Sequence, residues 1–220
     1  MFGAVVFDLW MTLVTPSDEA FAEFRRGWSD KLGVSSAELD EVWFADDAYH
    51  RRETGPIRSA IAGLCRDLDV DVDVDEVVAW RVDLMRDALV PDAGVVATLS
   101  ELRRRGISTG LISNCTEDVA LVWEESPFAG LFDVAIFSAT AECAKPDRRI
   151  YQLALGELPV PASKTLFVGD GANDELQGAQ RVGMTPVLIH PDGEPPRWDG
   201  LDDWSGRRIT EIEQVLDLIA

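Results

Sequence analysis

Positive charge is scarce in this chain. Its 220 residues include 20 lysines and arginines against 40 aspartates and glutamates, which gives a formal net charge of −20. Sequence-independent binding to nucleic acid or to an anionic membrane relies on basic surface, so we expect neither as a partner. An anionic ligand must therefore be held locally, by a metal ion, a lysine or the N-terminus of a helix.

Long apolar runs and cysteines are scarce as well. No stretch approaches the ~20 apolar residues of a membrane span, and the chain opens on a strand-like segment without a basic leader. The cysteines, Cys65, Cys115 and Cys143, are odd in number and show no CxxC spacing. We therefore expect reduced thiols, no zinc site and a cytoplasmic location.

What the chain does contain is an alternation of strand-like and helix-like segments after residue 90. Apolar segments typical of buried strands are separated by amphipathic helical patterns, and a closing helix is predicted at 209–219. This alternation predicts an α/β fold, a doubly wound parallel sheet with helices on both faces. The predicted strands lie at 4–8, 107–112, 132–137, 165–168 and 185–189.

No strand is predicted between residues 16 and 89. Helical patterns fill this segment, which we interpret as an insert of about four helices with Trp28, Trp43 and Trp80 in its core. The predicted domains are therefore a core domain of residues 1–15 and 90–220 and a helical domain of residues 16–89. The insert contains one loop, residues 51–56, whose glycine and proline suit a turn that faces the core domain.

Polar and charged side chains follow the predicted strands where each strand ends. In doubly wound sheets, ligands bind outside the carboxyl ends of the strands. Asp8, Asp170 and Asp174 offer the carboxylate oxygens that Mg2+ prefers, and Ser113 and Lys145 can donate hydrogen bonds to a phosphoryl group. A single aspartate after a strand is also a common turn residue, so the prediction depends on all of these groups meeting at one edge.

In this order the residues resemble the motifs of the haloacid dehalogenase-like (HAD) hydrolases, over essentially the whole chain. Motif one is similar to residues 8–12, motif two to Ser113, motif three to Lys145, and motif four to Gly169-Asp170 with Asp174. The resemblance implies a Rossmann-like core with strand order 5-4-1-2-3. It also implies that the helical insert is the cap domain of subclass I.

The resemblance implies a mechanism too. Asp8 would be the nucleophile that forms a covalent aspartyl intermediate, and Mg2+ would be held by Asp8, Asp170 and the backbone carbonyl of Trp10. Asp174 would orient a metal-bound water or bind the lysine of motif three. The groups that would bind the transferring phosphoryl group are Thr12, Ser113, Asn114 and Lys145.

Trp10 departs from the pattern of the family's phosphatases, which have a second aspartate two residues after the nucleophile. An indole does not shuttle protons at neutral pH, whereas general acid–base catalysis typically contributes ~10²–10⁴-fold in rate. Haloacid dehalogenases have an aromatic or other non-acidic residue there, because halide leaves without a proton. Phosphonatases also lack this aspartate but use a cap lysine, and Lys31 is the only lysine before Lys145.

The acidic fourth motif favours a metal site, since the dehalogenases, which need no metal, usually have Ser-Ser-Asn in that loop. We therefore expect a Mg2+-dependent hydrolase, monomeric or homodimeric, that acts on a small phosphate monoester. Two alternatives stay open. One is an L-2-haloacid dehalogenase-like enzyme, in which an arginine of the insert would bind substrate. The other is a catalytically weak binding protein of the same fold.

Overall fold

The computed structural model describes residues 1–43, 45–191, 198, 201 and 204–219. Its strands are β1 (Ala4–Phe7), β2 (Ser108–Ser113), β3 (Val134–Phe137), β4 (Thr165–Gly169), β5 (Thr185–Ile189) and β6 (Arg207–Ile209). Its helices are α1 (Asp18–Leu32), α2 (Ser36–Trp43), α3 (Asp46–Glu53), α4 (Ile57–Asp67), α5 (Val74–Ala88), α6 (Ala93–Arg104), α7 (Glu117–Val122), α8 (Ser138–Ala141), α9 (Arg148–Glu157), α10 (Glu175–Arg181) and α11 (Val215–Leu218).

The strands form one parallel sheet in the order β3-β2-β1-β4-β5-β6. Read from the opposite edge, the first five strands have the predicted order 5-4-1-2-3, and β6 extends the sheet beyond β5. Phe7, the last residue of β1, lies opposite Leu111 of β2 and Val168 of β4. This register brings the loops that follow the three strands to the same edge of the sheet, and the predicted fold class is confirmed.

The central strand supplies side chains to two separate cores. Alternate residues of a strand point to opposite faces, so Val5 and Phe7 pack under α6 and α7 while Ala4 and Val6 pack under α9 and α10. All four residues of β1 are buried. Burial on both faces explains why the sequence of β1 is continuously apolar rather than alternating.

The segment between β1 and α6 is helical, as predicted, and has its own apolar core. It contains five helices rather than about four, because α2 ends at Trp43 and a separate helix, α3, begins at Asp46. Trp28 lies at the centre, with its ring centroid 5.2 Å from that of Trp43 and 5.5 Å from that of Trp80. The predicted role of these tryptophans is confirmed, whereas the division into two domains stays a prediction.

The C-terminal segment differs from the sequence-based expectation. Ile209 was predicted to begin a helix, but it pairs with Ile189 in the sheet, and its carbonyl accepts a hydrogen bond from His190 N–H at 2.9 Å. Only Val215–Leu218 forms an α-helix. Most of the acidic loop between β5 and β6 lies outside the described residues. None of the helices in the described part of the chain is long and apolar enough to cross a membrane.

The core beneath α9 and α10 can be tested at Phe167, a fully buried residue of β4 that meets Tyr151 edge-on at 5.6 Å. Replacing a buried phenylalanine with alanine typically costs ~3–5 kcal/mol. We expect Phe167→Ala to lower the free energy of unfolding by that amount in urea titrations. Leu153→Ala, on the exposed side of α9, is the control and should change stability little. Equal losses for the two variants would contradict this account of the core.

Candidate active site

Asp8 and Asp170 stand side by side at the carboxyl edge of the sheet. Each directly follows its strand, Asp8 after β1 and Asp170 after β4, and the backbone N–H of Asp8 donates to the carbonyl of Val168 at 2.9 Å. Both side chains are buried. The position between β1 and β4 is the point where the strand order reverses, which is where ligands bind in doubly wound sheets.

Lys145 reaches this position from the loop that follows α8. Its ammonium group donates hydrogen bonds to Asp8 Oδ1 and, at 2.6 Å, to Glu175 Oε2. The backbone of Lys145 is held in turn by the Asn114 side chain, which accepts from the lysine N–H at 2.8 Å and donates to the lysine carbonyl at 3.0 Å. Asn114, predicted to bind substrate, therefore also fixes the position of the lysine.

Glu175, rather than Asp174, is the carboxylate that pairs with Lys145. Asp174 is exposed, and its left-handed backbone (φ 52°) precedes the first turn of α10, where Glu175 is buried. Glu175 Oε1 also accepts from the N–H of Gly171 at 2.9 Å. A Cβ on Gly169, the last residue of β4, would lie 2.1 Å from the same oxygen, so any larger residue there would displace the Glu175 carboxylate. The expectation that Asp174 binds the lysine is corrected.

The oxygens of Asp8, Asp170 and Glu175 approach within 4.8 Å of one another. Burial raises the pKa of Asp8, an effect that Lys145 opposes and Asp170 reinforces. Burial likewise raises the pKa of Glu175 to about 8 against the opposing effect of Lys145. Burial alone would lower the pKa of Lys145, but the carboxylates of Asp8 and Glu175 outweigh it and raise that pKa. Burial is thus the largest cause for the two carboxyl groups, and the neighbouring carboxylates are the cause for the lysine; the cluster has three carboxyl groups around one ammonium group.

This donor set suits a hard divalent cation. Magnesium takes oxygen ligands and commonly binds through one or two carboxylates, and the cluster offers only carboxylate oxygens. A divalent cation would also offset the excess negative charge. Trp10, whose carbonyl was predicted as a further ligand, lies half-buried in the turn after Asp8, and its role as a ligand stays a prediction.

Two hydroxyl groups of the predicted phosphoryl site are buried. By hydrogen-bond geometry, neither Thr12 Oγ1 nor Ser113 Oγ has a partner among the described residues. The thiol of Cys115 is close enough to Ser113 to interact with it, but thiols are weak hydrogen-bonding groups. Buried polar atoms are normally satisfied, so these hydroxyls are available to a ligand.

Sequence reasoning missed Trp198, whose indole N–H donates to Asp170 Oδ2 at 2.7 Å. The other carboxylate oxygen, Oδ1, accepts from the N–H of Ala172 at 3.1 Å. Asp170 is therefore oriented by two donors. The acidic, proline-rich composition around Trp198 gave no signal for this contact, because an isolated tryptophan in such a loop has no spacing that points to a partner.

A cavity of about 770 Å³ separates the helical insert from this edge of the sheet. Its walls are mainly aromatic and aliphatic, and its polar side chains include Arg81, which pairs with Asp118 at 2.5 Å and donates to Thr116 at 3.0 Å. Segment 51–56, predicted as a loop that faces the core, contributes Arg52 and Glu53, which lie in the last turn of α3. The cavity lining also includes Trp10, Glu23, Asp87, Asn114 and Cys115.

Lys31 does not line this cavity. Its ammonium group pairs with Glu76 within the insert, in agreement with the predicted polar setting. The phosphonatase chemistry that a cap lysine would supply therefore has no support among the described residues of the cavity wall.

The sheet order and the lysine-bridged carboxylates at its edge define a Rossmann-like α/β protein with a polar site at the topological switch point. The chain belongs to the haloacid dehalogenase-like hydrolase family, whose model matches residues 2–183. The resemblance noted from the motifs is thereby confirmed.

Relatives of two activities are found. The chain is 35% identical over 206 residues to Phosphatase MT3486 of Mycobacterium tuberculosis, and the match covers 87% of this chain and 89% of that protein. It is 28% identical over 231 residues to an (S)-2-haloacid dehalogenase of a Pseudomonas species, covering 97% of this chain and 93% of that protein. A solved HAD phosphatase from Thermococcus onnurineus shares the fold, with a TM-score of 0.74 and 22% identity over 99% of this chain and 97% of that one.

The assignment of Glu175 can be tested with two adjacent amide substitutions. Glu175→Gln replaces one of two accepting oxygens with an NH2 group, so the ammonium group of Lys145 or the N–H of Gly171 then faces a donor, and a buried donor left without a partner costs ~1–3 kcal/mol. We expect the free energy of unfolding to fall by about that amount in guanidinium titrations. Asp174→Asn, at the exposed neighbour, should leave stability almost unchanged. A larger loss of stability for Asp174→Asn than for Glu175→Gln would show that Asp174 is the partner of the lysine.

Proposed function

We propose that this hydrolase uses Asp8 as a nucleophile in the Mg2+-dependent hydrolysis of a small phosphate monoester. The observation that carries the proposal is the buried cluster of Asp8, Asp170 and Glu175 around the single ammonium group of Lys145. A carboxylate at the tip of a central strand, with cationic groups around it, suits attack on an electrophile.

Asp8 is oriented for this role by two contacts. Its backbone N–H is tied to β4 and its Oδ1 accepts from Lys145, which leaves the Oδ2 atom for attack. In the proposed reaction, the carboxylate attacks phosphorus and the leaving alcohol departs. Water then hydrolyses the aspartyl phosphate and restores the carboxylate.

Asp8, Asp170 and the carbonyl of Trp10 would hold Mg2+. When bound, the ion supplies positive charge that reduces repulsion between the nucleophile and an anionic phosphate. Trp198 restrains Asp170 by donating to Oδ2. The lone pairs of this carboxylate that accept no hydrogen bond are proposed to bind the ion. Asp174, exposed beside the cluster, is proposed to order water around the ion rather than to bind the lysine.

Lys145, Ser113, Thr12 and Asn114 would bind the phosphoryl oxygens. The ammonium group of Lys145 adjoins Asp8, and the buried hydroxyls of Ser113 and Thr12 have unused donor capacity. Donors fixed in place before the reaction stabilise the charge that develops on the transferring group without reorganising. The side-chain amide of Asn114 contributes by holding the lysine backbone.

Two observations support a phosphatase over a dehalogenase. The relative at 35% identity is named a phosphatase, and the acidic loop after β4 provides metal-type ligands. The dehalogenase alternative has its own support in Trp10, a non-acidic residue at the position two beyond the nucleophile, and in the Pseudomonas relative.

The proposal extends to the domain organisation, the entry of the substrate and the location of the protein. Residues 16–89 form a cap domain over a core domain of residues 1–15 and 90–220, and the substrate enters the cavity between them. The protein acts on a small molecule in the cytoplasm, as a monomer or a homodimer. The separate apolar core around Trp28 supports the domain division.

The nucleophile can be tested with Asp8→Asn, which keeps the size of the side chain and removes its charge. We expect phosphatase turnover to fall below about a tenth of wild type, because a neutral amide does not replace a carboxylate nucleophile. The melting temperature should stay within a few degrees of wild type. Residual turnover above that level in a folded variant would exclude Asp8 as the nucleophile.

The metal and the substrate class can be tested together by assaying phosphate esters and 2-halo acids with Mg2+ and with EDTA. We expect ester hydrolysis that EDTA abolishes and that Mg2+ restores, since the excess negative charge of the cluster requires a cation. Asp170→Asn should weaken Mg2+ binding in calorimetry, with Asp30→Asn, at an exposed position of α1, as the control.

Other outcomes identify the alternatives. Turnover of a 2-halo acid that survives EDTA would establish the dehalogenase. No turnover of either class, together with a ligand-dependent rise in melting temperature, would indicate a binding protein of the same fold.

A further inference from the structure

The proposed reaction lacks a proton donor at the position where the family's phosphatases have one. Trp10 occupies it and lines the cavity between the insert and the sheet edge. An alkoxide leaving group must be protonated as it departs, and the indole has no proton to give at neutral pH. Another acid on the cavity wall is needed if the substrate is an alkyl phosphate.

Three acidic side chains line the cavity among the described residues: Glu23, Glu53 and Asp87. Glu23 and Asp87 are exposed to solvent on α1 and α5. Glu53, at the end of α3, has a side chain that is only 14% exposed. It also interacts electrostatically with both Asp8 and Lys145. Burial and position therefore single out Glu53.

We propose that Glu53 is the general acid–base catalyst of the reaction, delivered from the helical insert to the leaving group of the substrate. The proposal rests on the phosphatase function proposed above. Glu53, a residue of the insert, then performs the proton transfer that Trp10 does not perform.

The backbone on both sides of Glu53 is fixed. Arg52 is buried, donates to the carbonyl of Trp43, and lies over the indole ring of that residue at 5.4 Å. After the turn, the N–H of Ile57 donates to Glu117 Oε2 at 2.9 Å, which ties the start of α4 to the core helix α7. A carboxyl group between two such anchors has a defined place on the cavity wall.

The helix that carries Glu53 also contacts the core next to the catalytic loops. α3 touches α8, whose first residue, Ser138, accepts a hydrogen bond from the N–H of Cys115 at 3.0 Å and donates to its carbonyl at 3.2 Å. Cys115 follows Asn114, the residue that clamps Lys145. The helix that carries Glu53 is therefore linked through α8 to the segment that holds Lys145.

The surroundings of Glu53 favour a proton on its carboxyl group. Burial raises its pKa, Arg52 and Lys145 oppose the shift, and Asp8 reinforces it. Arg52 Nη2 lies 3.8 Å from Glu53 Oε1, farther than a hydrogen bond. A raised pKa favours the protonated form of the carboxyl group, which is the form that a general acid needs.

Glu53 gives up one proton in the first step and regains one in the second. In the first step the Asp8 carboxylate forms a bond to phosphorus, the bond from phosphorus to the leaving oxygen breaks, and the Glu53 proton passes to that oxygen. The product is a neutral alcohol. In the second step the Glu53 carboxylate takes a proton from the water that attacks phosphorus, which yields inorganic phosphate and restores both side chains.

The proposal predicts a dependence on the leaving group that a merely structural ion pair with Arg52 would not produce. Protonation matters for an alkyl phosphate and hardly at all for p-nitrophenyl phosphate, because nitrophenolate leaves without help. The ratio kcat/KM reports the steps up to the first irreversible one, so it isolates the departure of the leaving group.

The experiment compares wild type, Glu53→Gln and Glu41→Gln with Mg2+ on these two esters. Glu41 is an exposed glutamate on α2 of the same insert and serves as the control. We expect Glu53→Gln to lower kcat/KM for the alkyl phosphate by ~10²–10⁴-fold and to leave the value for p-nitrophenyl phosphate nearly unchanged. It should also show a burst of nitrophenolate, because water activation is then slow. The control should match wild type.

A shorter acid tests the same point if Glu53→Gln does not fold. Glu53→Asp keeps an acidic proton on a side chain that is one methylene shorter. Its loss of kcat/KM should again be confined to the alkyl phosphate. Equal losses on both esters, or no loss on either, would overturn the role of Glu53 while leaving the phosphatase function in place. Failure of wild type to hydrolyse either ester would overturn the phosphatase proposal and the role of Glu53 with it.

Discussion

The ammonium group of Lys145 is buried against the carboxylates of Asp8 and Glu175, and the geometry of the site depends on this contact. It joins the tip of β1, the start of α10 and the loop after α8. Replacing a buried ion pair with apolar residues is often neutral or stabilising. A buried cluster with more carboxylates than ammonium groups is therefore better explained by the chemistry it performs than by the stability it adds.

The core and the insert contribute different parts of that chemistry. The proposed nucleophile, the lysine and the metal-type ligands lie close to the ends of strands or at the start of a helix, where packing restricts their movement. The cavity wall opposite them comes largely from the insert and is mostly apolar. In this arrangement the core would act on the phosphoryl group, and the insert would contact the rest of the substrate.

The sequence predicted the fold well, because a parallel sheet has strong local signals. Continuous apolar strands separated by helical patterns predicted the parallel sheet, and the resemblance to the HAD hydrolases implied its strand order. Residues directly after strands, such as Asp8 and Asp170, had to meet at one edge. The closing helix was placed too early, since Ile209 has the apolar spacing of a helix but pairs with Ile189. Pairing across the sheet overrides local periodicity.

The parts of the site that escaped prediction depend on one local turn and on contacts between distant segments. The acids at 174 and 175 are adjacent, and only the left-handed turn at residues 173 and 174 decides which of them points inward. Trp198 approaches Asp170 from a loop without periodicity, and Glu53 enters the cavity because a separate helix, α3, packs against the core. No spacing in the sequence encodes these approaches.

The most direct test of the account is the chemical trapping of Asp8 during turnover. Borohydride reduces an aspartyl phosphate to homoserine, so quenching the Mg2+-loaded enzyme with it during hydrolysis of p-nitrophenyl phosphate marks the nucleophile. The account predicts homoserine at Asp8 in peptide mass spectra, present with substrate and absent without it. An unmodified Asp8 in enzyme that is turning over, or homoserine at a different aspartate, would contradict it.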